Sequence, residues 1–170
     1  MERKLSASEA QPSFDVGSAR ATAIRLAVQH GDVGELERVL RQGADPNARD
    51  TFGDAVLLDV RDPALAATLV RLGANVDVRH REDGDTPLIR AARMGIVDLV
   101  QVLLAGGADV RAATTSGETA WSAAIRGGHD EVLPLLRAAG AEATEVPLER
   151  PGLEVEAAQP KAPVRPPDRR

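Results

Sequence analysis

Three histidines, His30, His80 and His129, are the side chains of this chain best suited to acid–base catalysis or metal binding. No HExxH segment places two of them on one face of a helix. The phosphate-binding pattern GxxxxGK[ST] and the nucleophile pattern GxSxG are also absent from the sequence. We therefore interpret each histidine as a surface or turn residue, and we predict no catalytic residues and no enzyme.

An acidic run, Glu82, Asp83 and Asp85, carries the oxygen ligands that calcium prefers. An EF-hand loop needs alternating oxygen ligands and a closing glutamate further along the chain, and this run lacks that spacing. We interpret the run as a solvated loop tip, with contact to a partner as the alternative. No metal and no cofactor is predicted.

The composition excludes several classes of protein. The chain has no cysteine, which rules out disulfides, thiolate catalysis and cysteine-ligated zinc. It has 26 acidic and 21 basic residues, so it lacks the basic surface that nucleic-acid binding requires. No apolar run is long enough to span a membrane, and none follows Arg3 and Lys4 as in a signal peptide. We expect a cytoplasmic monomer that binds neither nucleic acid nor membrane.

Internal repeats indicate which elements must position the polar side chains. Four similar segments occur along the chain: RQGADPNARD from Arg41, RLGANVDVRH from Arg71, AGGADVRAAT from Ala105 and RAAGAEATEV from Arg137. A second set precedes them: TAIRLAVQHG from Thr22, AVLLDVRD from Ala55, TPLIRAARMG from Thr86 and TAWSAAIRGG from Thr119. Successive copies start 30 to 34 residues apart, a period that indicates a solenoid of stacked units.

Each unit reads as two short helices. Thr86 supplies a hydroxyl cap and Pro87 a residue suited to the first helical position, and Thr22 and Thr119 are predicted to cap in the same way. Glycines are expected where the chain must turn. These are Gly31, Gly95 and Gly128 after the first helices, Gly43, Gly73, Gly107 and Gly140 after the second helices, and Gly53, Gly84 and Gly117 in the connections.

The combination of TPL, GAD and a period near 33 residues resembles the ankyrin repeat. The resemblance implies an all-α solenoid of stacked helix-turn-helix pairs with short hairpin-like connections. We predict a disordered segment over residues 1–16, an ankyrin repeat domain over 17–143 and a proline-rich flexible tail over 144–170. The four repeats are expected at about 17–49, 50–80, 81–113 and 114–143.

The sequence departs from the family pattern in several places. The second repeat is about three residues short and lacks the glycine-histidine step, so we predict a shortened first helix with Asp62 and Pro63 opening the next one. No repeat has the histidine that follows TPL in the family. Trp121 takes the place of the TPL leucine and is predicted in the core, while Pro134 is expected in the opening turn of the last helix.

The resemblance implies that contacts come from the hairpin connections and the exposed face of the first helices. Mapped onto this chain, the predicted partner-binding residues are Gln29, His30, Thr51, Phe52, Asp54, Glu82, Asp83, Asp85, Arg93, Met94, Thr115, Ser116, Glu118 and Arg126. Phe52 is the candidate anchor, because exposed aromatic residues often mark interfaces. The alternative is that Phe52 packs against the neighbouring repeat.

Two functional hypotheses remain from the sequence. In the first, the chain is a non-enzymatic adaptor or inhibitor that binds a protein partner. In the second, the repeats act as a tethering or scaffold module and the proline-rich tail recruits the partner. PKAPVR at 160–165 fits a PxxPxR pattern of the kind that SH3 domains bind, although a plain flexible tail explains the same residues.

Overall fold

The structure, a computed structural model, describes residues 16–49 and 52–141. These residues form seven α-helices and one single-turn 3₁₀ helix. The helices are α1 (Val16–His30), α2 (Val33–Arg41), α3 (Pro63–Arg71), α4 (Pro87–Met94), α5 (Val97–Ala105), α6 (Ala120–Gly127) and α7 (Leu133–Ala138), and the 3₁₀ helix (Val56–Asp59) precedes α3. The predicted N-terminal segment, apart from Val16, and the predicted tail lie outside the described residues.

The helices pair in chain order, and the pairs stack. In three units α1 packs on α2, α4 on α5 and α6 on α7, while the 3₁₀ helix and α3 form the remaining unit. Across units, α2 contacts α3, α3 contacts α5 and α4 contacts α6. Isolated antiparallel bridges, Arg49 with Ala55 and Ala113 with Thr119, close two of the hairpin-like connections. The predicted all-α stack of helix-turn-helix pairs is confirmed.

Capping hydroxyls start α4 and α6 as predicted. Thr86 Oγ1 accepts the backbone N–H of Ile89, and Pro87 is the first helical residue. Thr119 and Ser122 form a reciprocal capping box at the start of α6. The prediction for Thr22 is wrong, because α1 begins six residues earlier, at Val16. No turn glycine or proline directly precedes Thr22, so the helix continues through it.

The second unit is shortened, as predicted. Where α4 and α6 each have eight residues, the equivalent element is a 3₁₀ helix of four residues. The Asp62 carboxylate then accepts the N–H of Ala64 at 2.7 Å, and Pro63 opens α3. A short join with its own cap therefore replaces most of one helix, and the first-helix row of the stack loses about a turn at this point.

The core is aliphatic and runs continuously through all four units. Trp121 is buried, which confirms its predicted core position, and the Arg137 guanidinium lies over its ring. Pro134 falls in the first turn of α7, as expected.

All ten glycines predicted to turn the chain have positive φ values, and Gly95, at +68°, ends α4 in the left-handed conformation.

Side-chain hydrogen bonds link successive connections outside the helices. Asn47 Oδ1 accepts the N–H of Asn75 at 2.7 Å, and Asp77 Oδ1 accepts the N–H of Asp109 at 2.8 Å. Each bond satisfies a backbone group that the turn leaves without a helical partner. The connections are thereby held in register with the helices, which fixes the positions of the side chains at their tips.

Candidate interaction face

A groove opens beside the shortened second unit. It has a volume of about 720 Å³ and lies between the C-terminal half of α1, the connection around Phe52, the 3₁₀ helix and the start of α3. Its lining residues are Arg25, Val28, Gln29, His30, Gly31, Phe52, Val56, Asp59, Arg61, Asp62 and Leu65. The groove exists because four residues of 3₁₀ helix occupy the place where the third and fourth units have eight residues of α-helix.

Phe52 is the most exposed large apolar side chain that the structure describes, at 75% exposure. The backbone of Phe52 and of the residue after it is held in place. Arg81 Nη1 donates to the Phe52 carbonyl at 2.6 Å, and Arg49 Nη1 donates to the Gly53 carbonyl at 2.7 Å. The aromatic ring is thus presented at the groove from a fixed hairpin, and the alternative that it is packed away against a neighbouring repeat does not agree with its exposure.

A second, smaller groove of about 320 Å³ lies on the other side of the 3₁₀ helix. Met94, at 37% exposure, contributes an apolar side chain to it. Its lining residues are Leu58, Asp59, Arg61, Asp83, Asp85, Arg90, Arg93 and Met94. Because both grooves share Asp59 and Arg61, they form one face that extends across the first three units. We call the two grooves together the interaction face.

Two predicted contact residues, Asp85 and Glu118, are buried and not exposed. Their side chains are 3% and 7% exposed. Arg93 bridges them, with Nη1 2.7 Å from Asp85 Oδ2 and Nη2 2.9 Å from Glu118 Oε2. The expectation that Asp85 belongs to a solvated loop tip is therefore wrong. Both carboxylates position arginines from beneath the surface, because each directly precedes the threonine that caps the first helix of its repeat and lies underneath its arginines.

Further arginines extend this cluster at both ends. Arg90 Nε lies 3.3 Å from Asp85 Oδ2, and Arg126 Nη1 lies 2.9 Å from Glu118 Oε1. The Arg126 contact does not have hydrogen-bond geometry, and Glu118 Oε1 is buried without a hydrogen-bond donor. We call Asp85, Arg90, Arg93, Glu118 and Arg126 the ion-pair ladder.

The ion pairs of the ladder fix the orientation of the Arg93 side chain. Its hydrogen bond to Asp85 raises the pKa of Arg93 above the ordinary value; partial burial opposes this, and the bond to Glu118 reinforces it. Since the planar guanidinium donates to two carboxylates from different units, Arg93 also fastens the third unit to the fourth. Arg93 therefore has a structural role in addition to its predicted role as a partner contact.

The hairpin tips are tied to one another through His80. Its Nδ1 lies 2.7 Å from Asp83 Oδ1, and its Nε2 lies 3.4 Å from Asp54 Oδ2. Asp54 Oδ1 also accepts the N–H of Arg81. Asp54 thus links the connection around Phe52 to the connection around His80. Glu82 and Asp83 are exposed at the tip of the latter.

Asp83 makes the stability of this tip depend on pH. The N–H of Asp85 donates to Asp83 Oδ1 at 2.9 Å, and this bond is the main reason that the pKa of Asp83 lies below its ordinary value. Slight burial opposes the shift, and the His80 contact adds to it. A carboxylate with a lowered pKa in the folded state stabilises the fold above its unfolded pKa, near 4. That contribution is lost as the pH falls through the folded-state pKa.

We therefore expect Asp83→Asn to be less stable than the wild type at neutral pH, with a difference that narrows below about pH 4. Because the Asp83 side chain is 55% exposed, the effect is small. Urea unfolding of both proteins between neutral pH and pH 3 measures it. A difference that grows as the pH falls contradicts this account.

The remaining predicted residues are distributed as follows. Gln29 and His30 are exposed at the rim of the larger groove. Thr115 is exposed, and its N–H and Oγ1 both donate to the Asp83 carbonyl, while the Ser116 hydroxyl pairs with that of Thr114. Thr51 lies outside the described residues. Sequence reasoning placed Gln29, His30 and Phe52 on the interaction face, but it did not anticipate that they share one groove.

Two groove residues that the sequence analysis missed are Arg25 and Arg61. The available signal was the shortening of the second repeat: removing part of a helix uncovers the neighbours that it would have packed against. Among the described residues, no cluster of three or more histidine, aspartate or glutamate side chains could hold a metal ion. None of the described helices is both long enough and apolar enough to cross a bilayer.

Comparison with known families identifies the type of repeat. The model for ankyrin repeats in three copies matches residues 24–112 and again residues 54–146. The chain belongs to the ankyrin repeat family. Ankyrin repeats are protein–protein interaction modules and are generally non-enzymatic. The structure contains four helical units among its described residues, where the family model has three copies.

Several ankyrin-containing proteins are similar in sequence. Neurogenic locus notch homolog protein 1 of Xenopus laevis is 35% identical over 111 residues, which is 61% of this chain and 4% of that protein. Tyrosine-protein kinase Shark of Drosophila melanogaster is 32% identical over 114 residues, 65% of this chain and 12% of the kinase. Ankyrin repeat and SOCS box protein 6 of Homo sapiens is 32% identical over 116 residues, 61% and 27% of the two chains. The match thus spans 4% to 27% of these relatives.

Proposed function

We propose that this chain is a non-enzymatic adaptor or inhibitor that binds one protein partner through the interaction face, the hairpin tips and the exposed side of the first helices. The binding domain is proposed to be residues 17–143, with residues 144–170 as a flexible tail. The observation that carries the proposal is the convergence of Gln29, His30 and Phe52, from two different repeats, on one groove of about 720 Å³.

Exposure and charge support this choice of face. Phe52 and Met94 are two of the three exposed large apolar side chains in the described residues, and they line the two adjoining grooves. Isolated exposed apolar residues are common, but two on adjoining concave surfaces are what an interface core requires. Arginines and carboxylates surround them, as in the polar rim of a protein interface.

The double variant Phe52→Ala with Met94→Ala tests the proposal. Because aromatic anchors dominate interface energies, we expect the affinity for a partner to fall about tenfold or more. The partner is isolated by affinity purification with the full chain, and its affinity is then measured by isothermal titration calorimetry. Thermal unfolding of the variant is expected to match the wild type, since both side chains are exposed.

Leu26→Ala is the matched control. Leu26 is the third exposed large apolar residue; it lies on α1 but lines neither groove, so its replacement tests whether the anchors lie in the grooves or elsewhere on the first helices. Its replacement is expected to leave the affinity within about twofold. Equal losses in the control and the double variant, or no loss in the double variant, contradict the choice of face. Deleting residues 147–170 tests the tethering alternative, in which binding is lost with the tail.

A further inference from the structure

Two arginines in the larger groove have no partner of their own. Among the arginine side chains in the described residues, those of Arg25 and Arg61 alone make no hydrogen bond, ion pair or ring contact; the other twelve have a partner. Both unpaired guanidinium groups belong to residues that line the same groove, beside Phe52. The other arginine side chains in the described residues are paired, and these two are not. This difference indicates a ligand that supplies the missing acceptors.

The acidic residues of that groove are already engaged. The Asp62 carboxylate caps α3 through the N–H of Ala64 at 2.7 Å, and Asp59 Oδ1 lies 3.4 Å from Arg90 Nη1. Neither acid has an ion pair with Arg25 or Arg61. The groove therefore presents unpaired donors, and a guanidinium fork binds a carboxylate with two parallel hydrogen bonds.

The apolar part of the groove lies next to these donors. Phe52 is largely exposed, Val28 is half-buried, and Val56 and Leu65 form buried floor positions. A volume of about 720 Å³ is within the range of sites that enclose a small ligand, or a few side chains of a peptide. Chemical complementarity thus requires an apolar group and an anionic group in close succession.

We propose that the larger groove binds an extended segment of the protein partner in which an aspartate or glutamate lies next to a large apolar residue. The carboxylate pairs with Arg25 and Arg61, and the apolar side chain packs on Phe52. This inference rests on the proposed function and adds the chemistry of the partner. A peptide is favoured over a nucleic acid because the chain has a net charge of −5 and the groove offers two free arginines, whereas nucleic-acid binding needs a series of phosphate contacts.

Selection from a random linear peptide library on the full-length chain tests this inference. Enriched peptides are expected to share an acidic residue within a few positions of a large apolar residue. Affinities of the enriched peptides are measured by fluorescence anisotropy for the wild type and for Arg25→Ala with Arg61→Ala. Because hydrogen bonds to charged groups contribute about 1.5–3 kcal/mol, binding is expected to weaken tenfold or more.

Arg38→Ala with Arg41→Ala is the matched control, since it removes two exposed arginine charges from α2, outside the groove. Affinity is expected to stay within about twofold of the wild type in that variant. Replacing the peptide carboxylate by its amide should weaken binding to the wild type but not to the Arg25→Ala, Arg61→Ala variant. Unfolding curves of both double variants confirm that they are folded.

The outcomes separate this inference from the function it rests on. If enriched peptides lack acidic residues but lose affinity with Phe52→Ala, the interaction face stands and the acidic partner is overturned. If binding depends on neither Phe52 nor the two arginines, both proposals fail. Absence of enrichment, equal losses in the control, or displacement of the peptides by a single-stranded oligonucleotide at stoichiometric concentration also overturns the acidic-peptide inference.

Discussion

Gly95→Ala is expected to lower the free energy of unfolding by about 2–4 kcal/mol, because it combines backbone strain with a steric clash. Gly95 has a φ of +68°, where any residue with a Cβ is strained. A Cβ at this position would lie 2.3 Å from Nδ1 of His129, whose ring packs against the glycine from the next unit. Urea unfolding followed by circular dichroism measures the loss.

Gly128→Ala separates the two contributions to this effect. Gly128 ends α6 in the same conformation, with a φ of +77°, and an added Cβ there meets nothing within 4 Å. Its replacement is therefore expected to cost only the backbone part, about 1–2 kcal/mol. A Gly95→Ala, His129→Ala double variant should be less destabilised than the sum of its single variants, because the clash is gone. Equal losses for Gly95→Ala and Gly128→Ala would show that the His129 ring moves aside without a measurable cost in stability.

Arg93→Ala is expected to destabilise the fold by about 2–3 kcal/mol. Removing it leaves the buried Asp85 carboxylate with Arg90 alone and leaves Glu118 Oε2 without its guanidinium donor. Breaking a buried pair by deleting one partner typically costs 3–5 kcal/mol. Arg93 is itself 38% exposed, so water reaches the site and the expected loss lies below that range.

Arg126→Ala is the control for this prediction. Arg126 belongs to the same ladder, but its side chain is 55% exposed and its contact with Glu118 lacks hydrogen-bond geometry. The expected loss is below about 1 kcal/mol. Chemical unfolding of both variants and of Arg93→Lys, which keeps the charge but not the fork, gives the comparison. If Arg93→Ala costs less than about 0.5 kcal/mol, as ordinary surface substitutions do, Arg93 has no structural role.

The Arg93 result also decides how binding data on this face are interpreted. A variant that loses both stability and affinity at Arg93 does not establish a partner contact there, since the side chain holds two units together. Phe52 and Met94 lack that complication because they are exposed. Binding tests on the interaction face are therefore best based on those two residues and on Arg25 and Arg61.

Most of the fold could be predicted from sequence because its determinants are local. The hydroxyl of Thr86 accepts an N–H only three residues along the chain, and Gly95 ends α4 through its own backbone conformation. Thr22 was an exception: its place in the repeat predicted a cap, but α1 begins at Val16 and continues through it. Because these local determinants recur with the repeat period, the order of the helices follows from the sequence.

The candidate site could be predicted only in part because its geometry is non-local. Asp85 and Glu118 look like exposed loop acids in the sequence, yet packing of the third unit against the fourth buries them under Arg93. Arg25 and Arg61 lie 36 residues apart in the sequence and meet at one groove only because the first helix of the second unit is missing a turn.

By itself, then, the sequence determined the repeat architecture, the caps, the turn glycines and the core position of Trp121, since each depends on neighbours within one unit. Only the tertiary structure decided which charged side chains are buried in the ion-pair ladder and which stand free in the groove. The physical reason is that burial and pairing are set by contacts between units, and the repeat pattern specifies that units stack without specifying which side chains meet.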